Sequence, residues 1–133
     1  MSSKKVFVIM IHAFTGWALC AATMGVGMAL TSLETTLIIH AIAAPVFFAG
    51  VSWVYFRKFS YTAPLQTALI FMGFVITVDF FVVALLINRS LELFASLLGT
   101  WIPYALIFTS TYLTGLYTVK ILNQKIYPPA PRL

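Results

Sequence analysis

Residues 64–88 read PLQTALIFMGFVITVDFFVVALLIN, and between Pro64 and Asn88 the only ionisable side chain is Asp79. About 20 residues, each rising ~1.5 Å, cross a hydrocarbon core of ~30 Å. The stretch therefore reads as a membrane-spanning helix, with proline in its first turn, where a backbone N–H is not needed. Spanning strands would require segments of roughly ten residues with alternating polarity, and the chain has none.

Three further apolar runs flank this one, over 6–30, 36–56 and 101–119. Thr31, Ser32, Glu34 and Thr35 separate the first two, and Arg57-Lys58 ends the second. Residues 91–98 form a candidate interfacial segment, and Pro103 lies in the first turn of the fourth helix. The tail over 126–133, rich in proline, is expected to be extended. The fold class is all-α: a polytopic four-transmembrane-helix bundle forming a single membrane domain over 1–133.

Composition agrees. Of 133 residues, 62% are hydrophobic and 8% charged, with a mean hydropathy of +1.02. Soluble domains carry about 25% charged residues, so the excess apolar surface must face lipid. The net charge of +5 does not indicate nucleic acid, because the charges sit at the ends of apolar runs rather than on one face. The first run follows Lys4 and Lys5 but exceeds the length of a signal-peptide core and lacks a cleavage site before a polar chain, so it is expected to be retained. Cys20, the single cysteine, excludes an intrachain disulfide.

With four spans, both termini and the second connection share a side. Of the eight basic residues, Lys4, Lys5, Arg57, Lys58, Lys120, Lys125 and Arg132 fall there, and only Arg89 falls opposite. The positive-inside bias predicts cytoplasmic N- and C-termini, in a plasma (inner) membrane. The sequon Asn88-Arg89-Ser90 abuts a helix end and reads as a chance match.

Within the spans the informative residues are polar. A charged Asp near the bilayer centre costs about 2.5–3.5 kcal/mol, so Asp79 is expected to face the bundle or a watery cavity. It is the leading candidate for proton or cation binding; the plainer alternative is a carboxyl bonded to a hydroxyl of the fourth helix. His40 lies one turn into the second helix, before Pro45, which removes the hydrogen bond to the Ala41 carbonyl. His12 lies near the inner end of the first helix, on a face continued by Gly16, Cys20, Thr23 and Gly27. His12, Asp79 and His40 would mark three depths of a proton path. Each histidine has a plainer reading too, as a packing or headgroup-facing residue. They do not suit a bis-histidine haem, since their depths differ by roughly 15 Å. A direct His40–Asp79 bond is not expected, because helical side chains lean toward their own N-terminus and these two lean apart.

Thr100, Tyr104, Thr111 and Thr118 share a stripe of the fourth helix and read either as a cavity lining or as interhelical glue. Ala21, Gly25 and Ala29 recur every four residues and would let a second helix, of this chain or another copy, approach closely. No nucleophile elbow, Cys-x-x-Cys, His-Glu-x-x-His or phosphate loop occurs, and neither a metal site nor a cofactor is expected. The leading expectation is an oligomeric transporter or channel centred on Asp79. The alternatives are an accessory subunit of a larger membrane complex, and an intramembrane enzyme or single-histidine cofactor protein. The partners expected are the lipid bilayer with further copies or another membrane protein.

Overall fold

The computed structural model describes residues 2–87 and 89–131. Four helices among them are long and apolar enough to cross a membrane. Helix α1 spans Ser3–Leu30, with the Ser2 hydroxyl accepting from the Lys5 N–H. Helix α2 spans Leu33–Lys58, with Ser32 as its N-cap, and continues through Pro45 without a break. Helix α3 spans Pro64–Val78, with proline in its first turn as expected. At Asp79 it widens into a π-helix that runs to Ile87. A 3₁₀ turn over Glu92–Ala95 and a second π-helical segment over Leu97–Trp101 lead into α4, Ile102–Ile126.

The first, second and fourth spans are longer than their apolar runs. α1 starts at Ser3, α2 covers 33–58 rather than 36–56, and α4 reaches Ile126 rather than 119. The reason is that polar helix formers such as Lys120, Gln124 and Lys125 continue the hydrogen-bond ladder past the apolar stretch. Ile126, expected in the tail, is the last residue of α4, and residues 127–131 are not helical. The segment expected in the interface over 91–98 is turn and short helix. Asn88, the expected end of the third span, and Arg132 lie outside the described residues.

The helices pack as a ring in the order α1, α2, α4, α3, each touching its two neighbours. α2 and α4 run parallel: Leu37 approaches Gly99 near one end and Phe56 approaches Gly115 toward the other. Glycine is required where these helices close. A Cβ at Gly16 would lie 2.6 Å from the Phe48 ring, and one at Gly115 would lie 2.7 Å from Phe56 and 2.8 Å from Pro64. The axis is filled by Phe48, Tyr55 and Phe71, whose rings meet edge to face at centroid separations of 6.0 Å.

A buried chain of hydroxyls fastens the connection between α2 and α3. Tyr55 Oη lies 2.8 Å from Thr62 Oγ1, which lies 2.7 Å from Thr67 Oγ1, and Thr67 donates to the Ala63 carbonyl. Lys5 lies over the Tyr61 ring at 5.3 Å, which brings the start of α1 to the same end. That end of the bundle therefore gathers Lys4, Lys5, Arg57, Lys58 and the last turns of α4.

Candidate functional site

Asp79 stands where α3 changes from α- to π-helical pitch, roughly 22 Å along the helix from Pro64. Its carboxyl is partly buried and is held from two other helices. Trp17 Nε1 on α1 donates to Oδ1 at 2.9 Å, and Tyr104 Oη on α4 donates to Oδ2 at 2.8 Å. The local sequence explains each donor's position. Gly16 and Cys20 turn inward on α1 and bring the intervening Trp17 to the edge facing α3. Tyr104 follows the π-helical entry to α4 by three residues, is almost fully buried and rests edge-on against Trp101. The hydrogen-bonded pair thus sits beside two changes of helical pitch, Val78/Asp79 in α3 and Trp101/Ile102 in α4. Such π segments are rare in proteins and concentrate at functional positions.

The two donors are neutral, and no Lys, Arg or His among the described residues supplies a compensating charge to Asp79. A carboxylate offers about four acceptor sites. Each oxygen therefore keeps a lone pair on which a proton or small cation can sit while both donors stay in place. The free thiol of Cys20 is buried one turn beyond Trp17 and lies within electrostatic range of Asp79.

The structure does not bring His12 and His40 to this carboxyl. His12 Nδ1 bonds back to the Val8 carbonyl at 2.7 Å, and its ring packs edge-on against Tyr55 and Phe59. It lines an apolar groove of about 520 Å³ between α1 and α2, together with Thr15 and Gly50. His40 Nδ1 is buried with no hydrogen-bond partner. The same holds for the hydroxyls of Ser52 and Thr111, which the parallel register of α2 and α4 sets at one level.

The stripe Thr100, Tyr104, Thr111 and Thr118 is buried along its length, so it faces the bundle. Tyr104 serves Asp79, and Thr118 bonds back to the Thr114 carbonyl. Of the small-residue set, Ala29 and Gly25 are exposed, and a Cβ at Gly25 would meet nothing within 4 Å. That face of α1 has no partner helix in its own bundle. No group of three or more His, Cys, Asp or Glu suited to a metal ion lies among the described residues.

Trp17 is the residue that sequence reasoning missed, although a signal existed. An indole N–H in the middle of a span needs an acceptor, and Asp79 is the one carboxylate at comparable depth. Comparison with protein-family models, curated proteins and solved structures finds no match to the chain.

Proposed function

We propose that the protein is a small membrane transporter or channel, working as an oligomer, in which Asp79 binds and releases a proton or a small cation. The observation that carries this reading is a mid-span carboxyl held on both oxygens by neutral donors from two other helices, with no basic partner among the described residues. The plainer reading, a carboxyl bonded to a hydroxyl of the fourth helix, is met by the Tyr104 hydroxyl; what favours ion binding over it is the lone pair left on each oxygen and the cost of keeping an ionisable group in a span. The bundle axis is blocked by Phe48, Tyr55 and Phe71, so a path for the ion is expected to form between copies, with α1 and its open face at Gly25 as the contact. The membrane proposed is the plasma (inner) membrane, with both termini on the cytoplasmic side, where the seven basic residues belong.

The test is flux into liposomes carrying the purified protein, read with trapped dyes for protons and alkali cations. Wild type is expected to dissipate an imposed gradient, and Asp79→Asn at equal incorporation is expected to leave it standing. A folded wild type that moves neither protons nor alkali cations overturns the reading.

One observation favours a second reading, an accessory subunit of a larger complex: the uncovered small-residue face of α1 would accept a helix of a different protein equally well. Under that reading a partner co-purifies, and Asp79→Asn leaves the complex and its activity intact.

A further inference from the structure

A second groove, of about 270 Å³, opens between the last turns of α2 and α4 and is lined by Trp53, Arg57, Tyr117, Thr118, Ile121 and Lys125. Its walls are of two kinds. Trp53 lies one helical turn before Arg57 on α2, and Ile121 and Tyr117 lie one and two turns before Lys125 on α4, so on each helix the aromatic and apolar wall lies on the membrane side of the basic residue. The guanidinium of the exposed Arg57 lies over the Trp53 ring at 5.0 Å, which sets it at the edge of the groove.

Among the described residues no acidic side chain faces the charge on this rim. The chain has three acidic side chains. Glu34 lies in the first turn of α2, at the far end of that helix, Glu92 lies in the 3₁₀ turn beyond α3, and Asp79 is in mid-span. The end that carries Lys4, Lys5, Arg57, Lys58, Lys120 and Lys125 therefore has no carboxylate side chain to neutralise it. Because α2 and α4 run parallel, both C-terminal ends point here, and their dipoles favour basic side chains in these last turns. An acidic side chain of the chain itself is therefore not the anion that this rim would bind.

We infer that this groove is a site for an anionic phospholipid, whose phosphate is held by Arg57 and Lys125 and whose glycerol and upper acyl chain lie against Trp53, Tyr117 and Ile121. Basic pockets between spans at the positively charged end are suited to such headgroups. The apolar upper wall distinguishes a lipid from a soluble anion, which would use the rim alone. The site is independent of any role of Asp79.

The experiment is native mass spectrometry of the full chain, extracted from bilayers holding equal amounts of phosphatidylglycerol and phosphatidylcholine. Wild type is expected to retain phosphatidylglycerol preferentially. Arg57→Gln and Lys125→Gln each reduce that preference roughly five-fold, the equivalent of about 1 kcal/mol per basic residue near a membrane surface. Both positions are exposed, and a melting curve in the same detergent confirms that each variant folds. Arg57→Lys, which keeps the charge, retains most of the preference. Lys58→Gln and Lys120→Gln, at the same end but outside the groove, leave it unchanged. Loss of preference in these two equal to that in Arg57→Gln would mean a diffuse surface charge and would overturn the site. So would a wild type with no preference, or displacement of the lipid by inorganic phosphate alone.

Discussion

At the scale of single residues, the two donors to Asp79 differ in what they tolerate. The Trp17 indole can only donate, whereas the Tyr104 hydroxyl can donate or accept. Asp79→Asn therefore has one good orientation, with its amide oxygen toward Trp17 and its NH₂ toward Tyr104, and is expected to fold. Asp79→Leu leaves the N–H of the half-buried Trp17 and the O–H of the buried Tyr104 without this partner, at up to about 1–3 kcal/mol each, and is expected to lose stability in a detergent melt. Infrared difference spectra between about pH 4 and 9 test titration directly, against the ordinary aspartate value of about 3.9. A protonated-carboxyl band that changes with pH in wild type and is absent in Asp79→Asn is expected. In Tyr104→Phe the same band shifts in frequency, because one oxygen has lost its donor. A wild-type spectrum with no such band removes the proton-carrier role.

At the scale of elements, the glycines divide into those that let helices close and three, Gly25, Gly50 and Gly73, where a Cβ would meet nothing within 4 Å. Gly115→Ala forces a Cβ against Phe56, which is fully buried, and against the ring of Pro64, which cannot rotate away. The expected loss is about 1–3 kcal/mol, the usual range for overpacking. Gly25→Ala places its methyl in open space and reduces backbone freedom, so it is expected to be neutral or to stabilise by up to about 1 kcal/mol. Reversible unfolding in mixed micelles compares the two, and equal losses would mean that α1 is covered at Gly25 after all. Gly25→Leu should leave the monomer folded and weaken any oligomer, which single-molecule counting in bilayers would read. The change of pitch at Asp79 belongs to this scale and was not legible in the sequence. FFVVALLI contains no proline or glycine, and nothing in its local propensities separates a π-helix from an α-helix.

At the scale of the whole molecule, the ring order places Tyr61 at the basic end of the bundle and Glu92 beyond the opposite end of α3. In a Cys20→Ser background, Tyr61→Cys is expected to resist an impermeant thiol reagent in intact cells, and Glu92→Cys is expected to react. Labelling of position 61 from outside would reverse the proposed orientation.

The count of spans and the preference for lipid were written in one dimension. Apolar run length against bilayer thickness determines the first, and the scarcity of charge determines the second, so both survive any arrangement of the helices. Asp79 stood out on the same ground, as a carboxyl where lipid should be. Its partners were decided by the tertiary structure. Trp17 and Asp79 are 62 positions apart, and Tyr104 lies 25 beyond Asp79. Only the ring order α1, α2, α4, α3 and the rotation of each helix put both donors on the two carboxyl oxygens. The same rotations kept His12 and His40 apart from Asp79 and turned the hydroxyl stripe of α4 inward. Depth along the membrane normal follows from residue spacing, but the direction a helix faces follows from packing: Gly16 against Phe48 and Gly115 against Phe56 set it here.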